Sequence, residues 1–199
     1  FNAPFLLFSD PRLDGGAFYI GDREFENNIK KIISNVLANL KFESSDLIMS
    51  GASMGSFAAL YYGCFFSPRC IILAKPIINI GSVAVNEKKI RPAGFPESLD
   101  ILYFLSCQTS IESAVRLNNK LWEVFDESKL IQTTFILSYM KNDDYDPNAL
   151  DDLIAAFSQN SFPKIISKGF SGRHNDDNTS IFEWFDVMYR KMMSIYFRR

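Results

Sequence analysis

Residues 46–62, DLIMSGASMGSFAALYY, decide how this chain is read. Asp46-Leu47-Ile48-Met49-Ser50 has the pattern of a strand, Ser56-Phe57-Ala58-Ala59-Leu60-Tyr61-Tyr62 that of a helix, and Gly51-Ala52-Ser53-Met54-Gly55 joins them. A G-x-S-x-G turn in that setting is a nucleophile elbow. Its serine sits on a strained strand-to-helix turn, and its glycines let neighbouring backbones approach closely. The Ser53 hydroxyl is then exposed at the carboxyl edge of a parallel sheet. The Met54 N–H lies at a helix N-terminus, where partial positive charge stabilises an oxyanion. A glycine-punctuated turn whose serine merely caps the helix is the plainer reading, and the strand and helix on either side weigh against it.

An elbow serine needs a base, and the chain has one histidine, His174, in Lys168-Gly169-Phe170-Ser171-Gly172-Arg173-His174-Asn175-Asp176-Asp177-Asn178. The preceding Pro163-Lys164-Ile165-Ile166-Ser167 reads as a short buried strand ended by Gly169. Thr179 to Phe197 reads as an amphipathic helix capped by Asn178 or Thr179. His174 therefore falls in a polar loop between the last strand and the last helix, after Ser53 in chain order, which suits a general base better than a solvated surface histidine.

The third member is a carboxylate that orients the histidine, in the order Ser, acid, His. Thr133-Thr134-Phe135-Ile136-Leu137-Ser138-Tyr139 is a β-rich run followed by Met140-Lys141-Asn142-Asp143-Asp144-Tyr145-Asp146-Pro147 and a helix-like Asn148 to Phe157. Asp143, four residues before the proline, is the preferred acid. Asp144 beside it is the alternative, and Asp146 reads as a helix cap. A second oxyanion donor besides Met54 comes from the loop Ser9-Asp10-Pro11-Arg12-Leu13-Asp14-Gly15-Gly16. Pro11 has no N–H, which leaves Asp10 or Arg12, with the Arg12 side chain a further candidate for an anionic group.

Several segments carry a resemblance. Ser50-Gly51-Ala52-Ser53-Met54-Gly55-Ser56-Phe57-Ala58-Ala59-Leu60-Tyr61-Tyr62-Gly63, Ala74-Lys75-Pro76, Arg91-Pro92, Tyr139-Met140-Lys141-Asn142-Asp143-Asp144-Tyr145-Asp146 and Gly172-Arg173-His174-Asn175-Asp176 resemble the second Asp protein of the accessory Sec secretion system of Gram-positive bacteria. They equally resemble the related XcbB/CpsF capsular-polysaccharide biosynthesis proteins. The resemblance covers nearly the whole chain. It implies an α/β-hydrolase domain with Ser53, the acid of the Asp143-Asp144 pair and His174 as a triad, in O-acetylation of glycans on serine-rich adhesins or in capsule assembly. It also implies a glycan or glycoprotein acceptor, other secretion or capsule-assembly proteins as partners, and acetyl-CoA as the candidate acyl donor rather than a permanently bound cofactor. The expected location is cytoplasmic, peripheral at the inner face of the membrane. Accessory secretion proteins of this type are much longer, so the chain is a catalytic fragment or a shorter capsule-type relative. Ala52 stands where a larger residue is expected.

Composition fits a single α/β domain: 199 residues, 47% of them hydrophobic, can bury a sizeable core. A net charge of −2 gives no electrostatic reason to expect nucleic acid. Despite 19 phenylalanines, no apolar run is long enough for a transmembrane helix. The N-terminal residues lack the basic and apolar stretches of a signal peptide. Cys64, Cys70 and Cys107 read as buried reduced thiols rather than disulfides or metal ligands.

Alternating strands and helices imply a central, mostly parallel sheet of about five or six strands covered on both faces. Strands are expected at Phe5 to Phe8, Leu47 to Ser50, Cys70 to Ala74, Phe135 to Tyr139 and Lys164 to Ser167. The helix from about Arg23 to Leu40 shows a stripe of Phe25, Ile29, Ile32, Val36 and Leu40. About residues 80–130, with Arg91 to Pro96 and two helical runs, the second carrying Trp122, read as a lid-like insertion that sets acyl or sugar selectivity. The chemistry these residues support is acyl transfer through an acyl-serine, to a sugar hydroxyl or to water. A non-catalytic secretion or capsule-assembly component using the same fold for protein contact is the reading from another class.

Overall fold

A computed structural model describes residues 3–13, 16–90, 98–158, 162–176 and 179–196, with side chains except at 86–90 and 98. Asp10, Arg12 and the three triad candidates are among them, whereas Asp14, Gly15, Asn178 and Arg91 to Pro96 lie outside. The elements run α1 (Arg23–Leu40), β1 (Ile48–Ala52), α2 (Met54–Phe66), β2 (Cys70–Ala74), α3 (Ile80–Ile90), α4 (Ser98–Ser106), α5 (Ile111–Asn119), α6 (Glu127–Leu130), β3 (Thr134–Met140), α7 (Ala149–Ala155), β4 (Lys164–Phe170) and α8 (Thr179–Tyr196). The sheet is parallel throughout, in the order β1-β2-β3-β4.

Strand alternation sorts the core into two layers, because successive side chains point to opposite faces. Met49, Ile71, Leu73, Phe135 and Leu137 face one way, into a large cluster with Ile29 and Ile33 of α1 and Phe57 and Leu60 of α2. Cys70, Ile72 and Ile136 face the other way, onto Met188 and Met192 of α8. The two central strands are thus covered on both sides, which explains their continuous apolar sequence. All the strand ends that carry polar loops point to one rim, and the candidate site assembles there.

Several expectations need correction. Among the described residues the sheet has four strands, not five or six. Phe5 to Phe8 forms no ladder; Phe5 and Leu7 are 86% and 84% exposed. An aromatic-aliphatic run stays a strand only where a neighbouring strand and a covered face hold it. Here the segment stands off β1 across a cavity of about 590 Å³ lined in part by Phe5, Leu7, Ile33, Leu37, Met49 and Tyr189. In α1 the buried residues include Ile29 and Ile33, with Leu37 packed on the core, while Ile32 and Leu40 are exposed. The face follows an i, i+4, i+8 line rather than the expected stripe.

β4 is an edge strand with partly exposed side chains, and it continues through Gly169 to Phe170. A Cβ at Gly169 would come within 2.8 Å of the Tyr139 ring, so the glycine marks a close approach between strands and not a stop. Trp122 lies in a turn after α5, edge-on to Phe125. Cys64 and Cys70 are buried, and burial pushes both thiols up to about 12, which keeps them un-ionised and inert. Cys107 is exposed, contrary to the expectation for all three. Among the described residues no helix is long and apolar enough to cross a membrane.

Candidate active site

β1 delivers Ser53 to the rim at φ 51°, ψ −121°, a region that non-glycine residues avoid and that stores backbone strain. Two things hold it there. The Ser53 N–H donates to Ala74 O of β2 at 2.8 Å, and the Ser56 hydroxyl donates back to the Ser53 carbonyl. Gly51 is required by packing: a Cβ there would run into the main chain of Gly55. Gly55 itself faces open space, so only one of the two elbow glycines has the steric role the sequence assigned to both.

Ser53 Oγ lies 2.8 Å from His174 Nε2, and His174 Nδ1 lies 2.9 Å from Asp143 Oδ2. His174 is 1% exposed although it comes from a polar loop. Its ring stacks on Tyr145 at 4.3 Å between centroids and 3° between planes, and its main-chain N–H donates to Asp144 Oδ1 at 3.1 Å. The adjacent acids therefore divide the histidine between them, one taking the ring and the other the backbone. The two loops also meet through the Asn175 amide, which donates to the Tyr145 hydroxyl at 2.7 Å.

Burial alone would raise the Asp143 carboxyl. The hydrogen bond and charge of His174, with N–H donors from Tyr145 and Asp146, outweigh it and hold the group below the usual carboxylate range. An ionised Asp143 accepts from Nδ1–H, which leaves Nε2 with its lone pair toward the Ser53 hydroxyl. The arrangement can remove a proton from the serine as it attacks an electrophile.

Asp146 does not cap the following helix with its side chain. The carboxylate is buried and accepts from Ile78 N, Asn79 N and Asn79 Nδ2 at 2.7, 2.7 and 3.0 Å, while Asn148 occupies the N-cap of α7. A buried carboxylate needs several donors, and the turn after β2 has them. Asp10 and Arg12 pair with each other: both Nε and Nη2 of Arg12 lie 2.7 Å from the Asp10 carboxylate, and the guanidinium covers the Phe25 ring at 3.7 Å. The Arg12 N–H also turns to Asp10, at 3.4 Å. Asp10 additionally accepts from Ala17 N and Tyr19 N. This loop reaches the elbow through Met54, whose sulfur accepts the Phe18 N–H at 3.1 Å. Gly16 sits between the Met54 side chain and the Asp10 carbonyl.

Sequence reasoning passed over Tyr145, Ser56 and Lys75 as working residues. Lys75 carried a signal, a cation directly after five wholly buried strand residues. Tyr145 carried none, since an aromatic residue in an acidic turn is common. Among the described residues no group of His, Cys, Asp and Glu is placed to hold a metal ion.

The family model for the accessory Sec system GspB-transporter matches residues 1–199. Accessory Sec system proteins of Staphylococcus aureus (strain NCTC 8325 / PS 47) and Streptococcus gordonii are each 43% identical to this chain over its whole length. The chain spans 38% and 39% of those proteins, well under half. Among solved structures, the Glycosylation Associate Protein (Gap123) complex from Streptococcus agalactiae matches 93% of this chain and 36% of its own, at 45% identity and a TM-score of 0.85. The capsule O-acetyltransferase of Neisseria meningitidis serogroup A covers 93% of this chain and 72% of its own, with TM-score 0.66 and 20% identity. A mutant of that enzyme was solved in complex with CoA. At that identity the likeness is one of fold.

Proposed function

We propose, from the premise that this chain belongs to the accessory Sec system GspB-transporter family, that it transfers an acyl group, most simply acetyl, to a sugar hydroxyl through an acyl-serine. The observation that carries the reading is the continuous Ser53–His174–Asp143 relay, with hydrogen bonds of 2.8 and 2.9 Å around a buried imidazole. His174 takes the Ser53 proton as Oγ attacks the acyl carbonyl, Asp143 holds the imidazole and balances its charge, and the leaving group departs with that proton. The Met54 N–H at the start of α2 and a main-chain donor of the Asp10 to Arg12 loop stabilise the oxyanion. His174 then takes the proton of the acceptor hydroxyl as that oxygen attacks the acyl carbonyl, and passes it to Ser53 Oγ as the acyl–Oγ bond breaks.

The relay serves water and a sugar hydroxyl alike, and family membership favours the sugar of an exported glycoprotein. A thioester such as acetyl-CoA supplies the acyl group in this reading, supported by the CoA complex of the capsule enzyme that shares the fold. The helices between β2 and β3 act as the lid that selects the acceptor. The protein works on the cytoplasmic side, at the inner face of the membrane. The Streptococcus agalactiae relative was solved within a complex, so contact with other secretion proteins accompanies the chemistry; exposed Tyr103, Ile111 and Val115 on α4 and α5 offer a surface for it.

The test supplies acetyl-CoA with a panel of glycopeptide acceptors and follows acetylated product by mass spectrometry. Product that requires Ser53 and rises with acceptor concentration supports transfer. Free acetate alone, at the same Ser53-dependent rate, makes the protein an esterase, and no turnover of any ester leaves the assembly role.

A further inference from the structure

We propose that Lys75 is a positioning residue that fixes the main chain of His174, and that Lys75–Asn79 ties together the three loops bearing Ser53, Asp143 and His174. The proposal rests on the acyl-transfer reading above. A lysine that follows a buried strand ordinarily runs out to water. Lys75 instead adopts φ 49° and is buried to 7% exposure. Its Nζ donates to His174 O at 2.6 Å and lies 5.4 Å from the Phe182 ring of α8. Removing an ammonium from water is costly unless strong partners replace the water, and a charge-assisted hydrogen bond to a carbonyl is such a partner. A strained backbone and a buried cation spent on one carbonyl mark that carbonyl as the group being controlled.

The amine is mounted on the rigid part of the molecule, since Lys75 N donates to Ser138 O of β3 at 2.7 Å. The acid loop holds the rest of His174: Asp143 takes the ring nitrogen, Tyr145 covers the ring face and Asp144 takes the N–H. Lys75 adds a hold from β2 on the residue's other side, so both peptide groups flanking the His174 Cα are anchored. The next residues reach the remaining loops. Ile77 N donates to Ser56 Oγ at 2.9 Å, and that hydroxyl donates to the Ser53 carbonyl. Ile78 N and Asn79 N donate to Asp146, whose own N–H donates to Asp143 Oδ1 at 3.1 Å. Five residues thus reach the nucleophile, the base and the acid.

Releasing one of these anchors shifts the imidazole by a fraction of an ångström to an ångström, enough to cost up to about a hundredfold in rate without emptying the site. The experiment follows labelling of the intact protein with a fluorophosphonate, recording the rate at saturating probe, the half-saturating concentration and the final stoichiometry. Lys75→Met keeps the apolar stem and deletes the donor. The expected result is a maximal rate about tenfold to a hundredfold lower, with half-saturation and stoichiometry unchanged within about twofold. A wild-type rate in a folded Lys75→Met protein overturns the proposal. So does a loss confined to stoichiometry, which reports damaged molecules rather than a misplaced base. If Lys75→Met does not fold, Lys75→Gln decides by the same criteria, because its shorter amide falls short of the His174 carbonyl. No labelling of the wild-type protein overturns the acyl-serine reading and this proposal with it, whereas normal wild-type labelling unaffected at Lys75 overturns this proposal alone.

Discussion

The rim that carries Ser53, Asp143 and His174 and the neighbouring loop of Asp10 and Arg12 are both polar loops beside the same elbow, yet they are held in different ways. At the rim, contacts between residues far apart in sequence fix each group: Ser53 with His174, Lys75 with the His174 carbonyl, Asp146 with the turn after β2. In the other loop the main constraint is local, an Asp10–Arg12 pair two residues apart, with Phe25 beneath the guanidinium. Long-range ties bury the imidazole and set its geometry; a local pair shapes a loop. Substitutions at the rim should therefore change the rate far more than the fold, and those in the Asp10 loop the reverse.

The largest break in that contrast is Ser53→Ala. Removing the nucleophile of a coupled relay costs up to about a millionfold in kcat, measured on an aryl acetate, with the melting temperature unchanged. Next is Asp143→Asn, about ten-thousandfold through the wrong imidazole tautomer, against less than about tenfold for Asp144→Asn, whose carboxylate accepts from the His174 main-chain N–H and not from the ring. Equal losses at the two positions would contradict the division of labour between them. Acid sharpens the same point. Asp143 is held below its unfolded value, so its contribution to stability is present above the ordinary carboxylate range and lost as pH falls through the folded pKa. Denaturant midpoints measured between pH 7 and pH 3 should fall more steeply for wild type than for Asp143→Asn.

In the sequence, the elbow, the lone histidine and the acidic turn were legible because each is punctuated locally by glycine, proline or a short polar run. The central strands were legible from runs such as Cys70–Ala74, which only a doubly covered sheet can bury. What escaped depended on partners distant in sequence. Whether Phe5 to Phe8 pairs depends on a neighbour its own residues do not encode. Asp146 looks like a cap until the turn after β2 is folded onto it. Which of Ile32 and Ile33 faces the core was a one-position shift in a helix with apolar residues on more than one line.

Smaller effects test the second region. Arg12→Ala should lower the melting temperature by a few degrees, through lost packing on Phe25 and the loss of the Asp10 ion pair, while acylation falls less than about tenfold. A loss comparable to that of Asp143→Asn would move Arg12 into the chemistry. Within the elbow, Gly51→Ala should destabilise by about 1–3 kcal/mol or more by overpacking against Gly55. Gly55→Ala, with room for its methyl, should leave denaturant stability unchanged or raise it by up to about 1 kcal/mol.

The most direct measurement is site-mapped fluorophosphonate labelling of the protein beside its Ser53→Ala and His174→Ala variants. One equivalent of probe on Ser53 in wild type, none in Ser53→Ala, and labelling slowed by orders of magnitude in His174→Ala is the predicted result. An unlabelled Ser53 in folded wild-type protein, or labelling indifferent to His174, would contradict an acyl-serine mechanism.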